Sequence, residues 1–399
     1  MQSAAGPSKD GGQLSGESVR TMEKKTVVYI CHEEKVLGGA ALSLMNLIHA
    51  LRDEVHPIVV VRGGRGDAVY DFFAAAGCEC MTAPFELNTT VFPCLRTKIR
   101  FVPKLVRYHL TNGRCLRMLC ARLGKRKVSL VHSNSSVVTL GYHLARRLGV
   151  PHVWHLREFQ DRDFSVRPFC GWGELKKKIY RSDAAVAITS AVFRHWGLQH
   201  ARRAYCIRDA VRPASEAVAD VRKEKYVVFC AATLSERKGA GWAVEAFARS
   251  GLARKGYVLK MLGYCPAGYR DVLVASAARY GVEQHVEWLG FCADVRPYLC
   301  RATAFLMCSQ DEGLGRVTVE ALFYGCPVVA RNSGGTPEFV RHGVNGFLYN
   351  NMSECVDALR QMPGQDFEAL AAAANRIAVE EFSEEAFVRK FRPVYQSLW

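Results

Sequence analysis

The sequence predicts an α/β protein of two doubly wound domains that face each other across a cleft. Three observations carry this. Short β-rich apolar runs alternate with helical periodicities, the alternation lapses once near the middle and restarts, and 399 residues that are 49% hydrophobic exceed what one core usually supports.

Taken in order, residues 1–25, "MQSAAGPSKDGGQLSGESVRTMEKK", are small and polar, lack the apolar stretch of a secretory signal and read as a disordered tail. The strand runs that follow are "TVVYIC" (26–31), "PIVVVR" (57–62), "SLVHS" (129–133), "HVWHL" (152–156) and "AAVAIT" (184–189), with helical patterns between them as at Ala40–Leu51 and Val137–Leu148. Such alternation implies βαβ units and a mostly parallel sheet. The cycle restarts with "YVVFCAAT" (226–233), "YVLKML" (257–262), "VEWLG" (286–290), "AFLMC" (304–308) and "PVVAR" (327–331). The joint falls near "IRDAVRPASEAVAD" (207–220), where Pro213 breaks the chain. The expected units are therefore 26–212, 213–380 and a C-terminal helix over 381–399 able to pack back on the first domain. Open α/β sheets bind ligands outside the carboxyl ends of their strands, so the chemistry is sought in the loops lining the cleft.

The formal charge is +16, and its distribution says more than its sum. Up to Arg212 the chain carries 33 Lys and Arg against 17 Asp and Glu, leaving 21 against 21 for the remainder. Between Leu87 and Arg157 there is no carboxylate, while Arg96, Lys98, Arg100, Lys104, Arg107, Arg114, Arg117, Arg122, Lys125, Arg126 and Lys127 crowd the first part of that stretch. This field suits an anionic surface. Over Phe101–Leu123 apolar residues recur at helical spacing among the cations, as in an interfacial amphipathic element, although Pro103 and Gly113 weaken one continuous helix. No nucleic-acid module is recognisable, and no run approaches the ~18 apolar residues that span a bilayer. The 15 cysteines are scattered and unpaired by motif, which reads as a reducing cytoplasm. Cys292, Cys300 and Cys308 are evenly spaced but match no zinc signature, and they read as small buried hydrophobes.

The stretch "EGLGRVTVEALFYGCPVVARNSGGTPE" (312–338) concentrates chemistry. Gly313 and Gly315 precede a helix expected at about Arg316–Tyr324, so amide groups face outward as an anion site, and Gly334-Gly335-Thr336-Pro337 repeats the device one strand later. Thr318 stands where a dinucleotide fingerprint needs its third glycine, and the chain has no P-loop consensus, so hydride transfer is disfavoured. Eight residues of helix separate Glu312 from Glu320 by about 12 Å and about 80° around the axis. The two carboxylates suit two ends of one polar ligand better than a close pair.

Glu312-Gly313-Leu314-Gly315, followed at position 320 by a second glutamate, closely resembles the E-x7-E signature of the retaining glycosyltransferases of family 4. So do the flanking "YGCPVVARNSGGTPEFVRHGVNGFLY" and "ATLSERKGAGWAVEAFA". That family has the GT-B fold of two Rossmann-like domains. The resemblance implies that Glu312 contacts the donor sugar, that Glu320 holds the nucleotide ribose, and that Gly313, Leu314, Gly315, Gly335 and Thr336 line the donor site. It implies that Arg237 and Lys238 neutralise the donor diphosphate. Thr233 stands where many members carry arginine, which shifts that grip onto Lys238 and helix amides. In the first domain, Gly38 and Gly39 resemble the glycine loop that opens towards donor phosphates and acceptor. "VHSNSSVV" and "VWHLREF" resemble loops of the acceptor side, with Asn134 at the second-histidine position of the family's His-x-His version and with His155, Arg157 and Glu158 as candidates. Asp161-Arg162-Asp163 mimics a DxD metal motif but reads here as a polar loop, and no metal is expected.

The implied reaction passes a sugar from a UDP- or GDP-sugar to a hydroxyl of a glycan or lipid-linked acceptor, with retention and with no cofactor beyond the nucleotide-sugar itself. The expected setting is cytoplasmic, peripheral at the inner membrane face, in polysaccharide or glycolipid assembly. Two alternatives stand beside it: a nucleotide-sugar epimerase or phosphorylase of the same fold, and a non-catalytic adaptor that kept the fold without turnover.

Overall fold

The computed structural model describes residues 23–91, 101–218 and 222–399. Of the tail expected over 1–25, residues 1–22 lie outside the described residues, and Lys25 already opens the first strand. Arg96, Lys98 and Arg100 also lie outside them.

The first half forms a seven-stranded sheet, ordered Glu79–Thr82, Val55–Val61, Lys25–Ile30, Val128–Ser133, His152–Leu156, Ala184–Ala187, Ala204–Cys206. The second forms a six-stranded sheet, ordered Val286–Gly290, Val258–Tyr264, Glu224–Thr233, Ala302–Met307, Val328–Arg331, Gly346–Tyr349. All neighbouring strands in both are parallel. Helices cover both faces, so central strands are buried on both sides and must be near-continuously apolar; Val27, Val28, Tyr29 and Ile30 are each 0% exposed. In each sheet the opening strand sits inside, with later strands laid to one side and then the other. That reversal leaves a crevice at the carboxyl ends. It lies between Lys25–Ile30 and Val128–Ser133 in one half, and between Glu224–Thr233 and Ala302–Met307 in the other.

The two halves share apolar packing. The cluster on one face of the second sheet, with Phe305, Leu322 and Ile377, continues into Trp154, Ile188 and Trp196 of the first half. The chain crosses between the halves twice, and the crossings are joined: Val211 N–H donates to the Phe382 carbonyl (2.9 Å) and Glu384 N–H to that of Arg212 (3.2 Å). Ser383 then caps the helix Glu384–Gln396, accepting from Ala386 N–H. Phe387, Phe391 and Tyr395 of this helix enter the core of the first sheet beside Tyr29 and Leu44. Each such aromatic stabilises the docking by about 1.5–3 kcal/mol.

The segment Phe101–Leu123 is one continuous helix, against the sequence expectation. Pro103 falls in its first turn, where an N–H has no intrahelical partner to lose. Gly113 costs about 1 kcal/mol relative to alanine, which is offset by the buried face of Tyr108, Cys115, Leu119 and Leu123. Its opposite side exposes Val102, Val106 and Leu110. No helix among the described residues is long and apolar enough to cross a membrane.

Candidate active site

The two crevices open into one cleft of about 890 Å³, lined by both halves. That is the scale of a small-molecule site. Gly38, Gly39, Arg157 and Glu158 line it from the first half; Lys238, Glu312, Gly313, Leu314, Gly315 and Glu320 line it from the second.

The glycines of 312–338 follow from how closely the loops meet. Gly315 has φ 75°, in the left-handed region, and opens the helix Arg316–Phe323. A Cβ on Gly313 would collide with the Arg157 carbonyl, and one on Gly335 with the Gly313 carbonyl. Gly335 N–H donates to the Glu312 carbonyl (2.9 Å), and Thr189 Oγ1 donates to that of Gly313 (3.0 Å). The second glycine turn therefore buttresses the first. Its anion-site reading needs correction: Thr336–Glu338 is a single 3-10 turn, and Thr336 is buried with its hydroxyl unpartnered. Glu338 instead reaches the other half, accepting from Ser190 N–H (2.9 Å) and Ala191 N–H (2.7 Å) at the start of the helix Ser190–Trp196.

The two signature glutamates face different cations. Glu312 pairs with Lys238, brought in from the loop after the neighbouring strand. Glu320 pairs with Arg212 at the interdomain crossing (3.1 Å). Arg316 spans the seam, with Nη1 donating to Ser43 Oγ (2.7 Å) and to the Ala210 carbonyl (3.2 Å). Burial pulls its pKa below the usual arginine range, and Glu320 and Asp209 oppose that shift. Arg237 is exposed and stacks on the Phe164 ring at 4.7 Å, outside the cleft lining, and Thr233 is exposed at its strand end and also outside it. Lys238 is thus the member of the basic pair that faces Glu312.

On the first half, the glycine loop carries its own carboxylate. Glu33 accepts from Gly38 N–H (3.3 Å) and Ala41 N–H (2.9 Å) at the start of the helix Gly39–Ala50. Asn134 is a strut, donating to the Ala40 carbonyl (2.9 Å) and accepting from Arg157 Nε (3.0 Å). Arg157 completes its bonding with Asp209 and His155. His155 itself is fully buried beneath Arg157 and is not part of the cleft wall. Burial, with the Arg157 and His132 charges, holds its pKa well below the histidine range, so a neutral ring supports Arg157 from behind rather than meeting ligand. Glu158 accepts from Ser135 Oγ (2.5 Å), Ser136 N–H (2.7 Å) and Ser136 Oγ. Asp163 of the DxD look-alike spends its carboxylate on its own turn, accepting from Phe159 and Gln160 N–H (2.9 and 2.8 Å), and burial pushes its pKa up to about 7. Among the described residues, no group of three or more His, Cys, Asp or Glu is placed to hold a metal ion.

Sequence reasoning missed Arg316, Arg212, Asp209 and Glu33. Arg316 follows the glycine loop directly, so a cation on the first turn is a legible oddity against the helix dipole; the other three carry no local signal.

Residues 38–232 match the family described as glycosyl transferase 4-like domain, and residues 211–363 match glycosyl transferases group 1. Among curated relatives, the lipopolysaccharide core biosynthesis glycosyltransferase LpsE of Rhizobium meliloti is 32% identical over 171 residues, 42% of this chain and 48% of that protein. The GDP-mannose-dependent alpha-(1-6)-phosphatidylinositol monomannoside mannosyltransferase of Mycobacterium tuberculosis is 34% identical over 161 residues, 36% of this chain and 41% of that protein. The chain thus matches less than half the length of these curated relatives. Among solved structures, HepE of Anabaena in complex with UDP and glucose superposes with a TM-score of 0.74 at 20% identity, covering 94% of this chain and 100% of that one. Sucrose-phosphate synthase of Thermosynechococcus elongatus gives 0.72 at 16%, covering 94% and 99%. These likenesses are of fold. With two consecutive family matches running from residue 38 to 363 on that fold, the chain belongs to the group 1 glycosyltransferases of GT-B architecture.

Proposed function

We propose that the chain is a retaining glycosyltransferase that moves a sugar from a UDP- or GDP-sugar to an acceptor hydroxyl in polysaccharide or glycolipid assembly. The observation that carries this is the Lys238–Glu312 pair at the meeting point of the two crevices. As the donor's C1–O bond breaks, the departing diphosphate gains negative charge, and an ammonium held beside it stabilises that charge. The acceptor oxygen bonds C1 from the same face, and its proton passes to the departing phosphate oxygen, so nucleoside diphosphate leaves and no protein nucleophile is needed. Glu312 holds sugar hydroxyls, and Glu320 exchanges Arg212 for the ribose hydroxyls. Gly313, Leu314 and Gly315 let the donor approach backbone amides, while Gly335 and Thr336 act through the buttress behind them. Arg157 and Glu158 stand on the acceptor side.

HepE was solved with UDP and glucose, which supports a nucleotide-sugar in this cleft, and the relatives' lipopolysaccharide and phosphatidylinositol mannoside roles support a glycan or lipid-linked acceptor. Exposed Val102, Val106 and Leu110 beside Lys104, Arg107 and Arg114 support peripheral contact with an anionic membrane from the cytoplasmic side. Glu312→Gln tests the reading: turnover should fall at least 100-fold while thermal stability and nucleotide affinity stay near wild type, and an unchanged rate removes the assignment.

A further inference from the structure

We propose that His32 holds the acceptor, its Nε2–H donating to the attacking hydroxyl oxygen from the first half of the cleft. This rests on the transferase reading above and adds the group that meets the acceptor oxygen.

His32 stands two residues beyond the strand Lys25–Ile30, at the crevice between that strand and Val128–Ser133. Lys238 holds the matching place in the second half, in the loop after that sheet's opening strand Glu224–Thr233. Both side chains line the one cavity. The two loops therefore bring an imidazole and an ammonium to it from opposite walls.

The ring is half-buried, and its Nδ1 is buried without a partner. Among the described residues, neither of its nitrogens has a hydrogen bond or an ion pair. The three fully buried histidines of the same half differ. His132 meets the Tyr395 hydroxyl (2.8 Å), His152 lies between the Ser133 and Ser182 hydroxyls (2.9 and 3.0 Å), and His155 meets Arg157 (3.2 Å). A histidine that served packing alone would be held in the same way. A buried N–H is left orphaned more rarely than a buried acceptor, so the single proton of the neutral ring belongs on Nε2, the nitrogen that is not enclosed. That proton has no acceptor in the protein.

The charged groups around the cleft are committed. Arg157 spends its three nitrogens on Asn134, Asp209 and His155, and Glu33 accepts from the Gly38 and Ala41 amides. Glu158 accepts from Ser135 and Ser136, while Asp163 and Gln160 close a capping box on each other. Across the cleft Arg316 donates to Ser43 and the Ala210 carbonyl. Arg212 keeps an unpartnered, buried Nε, but its other nitrogens lie against Glu320 and Glu216 (3.1 and 3.8 Å), on the side read as the ribose site. His32 can take up a ligand without giving up a bond.

An acceptor hydroxyl has one proton and two lone pairs. During transfer one lone pair forms the new bond to C1 as the bond from C1 to the phosphate oxygen breaks, and the proton passes to that departing oxygen. The second lone pair accepts from His32 Nε2–H. This sets the direction from which the oxygen approaches C1 and leaves its proton for the phosphate.

The test follows donor hydrolysis, in which water takes the place of the acceptor, using the full chain and whichever UDP- or GDP-sugar it binds. His32→Ala should lower kcat about tenfold, the worth of one hydrogen bond, with donor KM and the affinity for UDP or GDP unchanged. Added imidazole should recover much of that rate in His32→Ala and leave wild type unaffected. His32→Gln, which keeps an N–H donor, should retain more activity than His32→Phe, which keeps a ring and loses both nitrogens; this pair carries the test if the alanine variant fails to fold. A merely structural ring would shift Tm and donor KM together with the rate, with no recovery by imidazole and with phenylalanine tolerated better than glutamine, which overturns the proposal. So does an unchanged kcat, a loss of UDP or GDP affinity, or a wild-type chain that binds donor and never hydrolyses it. Failure of the wild-type chain to bind any UDP- or GDP-sugar, read first, overturns the transferase reading and the role of His32 with it.

Discussion

Replacing Lys238 by methionine removes the ammonium from the cleft and leaves its aliphatic stem. The Lys238 side chain is 32% exposed and Glu312 17%, so the pair is half solvated and contributes at most about 1 kcal/mol to folding. Such a loss lowers Tm by roughly 2–4 °C in a domain of this size. Turnover should respond far more. A unit charge developing about 4 Å from a cation, at an effective dielectric near 20, gains about 4 kcal/mol, roughly a thousandfold in rate. Truncation of a single transition-state donor typically costs about 10²–10³ in kcat. Steady-state release of nucleoside diphosphate, measured with saturating donor, should therefore fall by about 10²–10³, with Lys238→Arg recovering part of it. A kcat within threefold of wild type in a normally folded Lys238→Met protein would show that leaving-group charge is met elsewhere.

Reversing Arg114, Arg117 and Arg122 to glutamate, all exposed on the helix Phe101–Leu123, should abolish sedimentation with anionic vesicles, since each basic residue near such a surface contributes about 1 kcal/mol; retained binding removes the membrane reading. Stability should fall as pH drops below about 6.5. Burial holds His132 and His155 well below the histidine range and His152 down to about 3, so the unfolded chain takes up three protons that the fold refuses. Those three protons amount to about 4 kcal/mol per pH unit, and Asp163, which the fold protonates first at about 7, reduces this to about 3. Denaturant unfolding at pH 7, 6 and 5 measures it, and a flat profile would mean that these rings are not buried neutral.

Most strands are legible because a parallel strand covered on both faces has to be a short apolar run. "HVWHL" and "VEWLG" coincide with their strands. In the two large sheets three strands escape the sequence reading, Glu79–Thr82, Ala204–Cys206 and Gly346–Tyr349, all at sheet edges and only three or four residues long, and the two-residue strands Thr90–Val91 and Val166–Arg167, which pair with each other outside both sheets, escape it too; runs this short hold too few residues to show a period. The site is half legible. Glu312 and its glycines stand out in one contiguous stretch, but the partners that give them meaning are remote in sequence: Lys238 is 74 residues from Glu312, and Arg212 is 108 from Glu320. His155 looks reactive in sequence because a strand end can face either ligand or core, and only packing beneath Arg157 decides for the core. Gly335 looks like an anion site because glycine is equally the residue that lets two loops touch.

The measurement closest to the central claim follows a panel of UDP- and GDP-sugars by proton NMR with the purified chain, wild type and Glu312→Gln. The account predicts that one donor binds selectively and is slowly hydrolysed, that the free sugar appears first with the anomeric configuration of the donor, and that Glu312→Gln abolishes the hydrolysis but not the binding. Binding of no member of the panel, or first appearance of the inverted anomer, would contradict it.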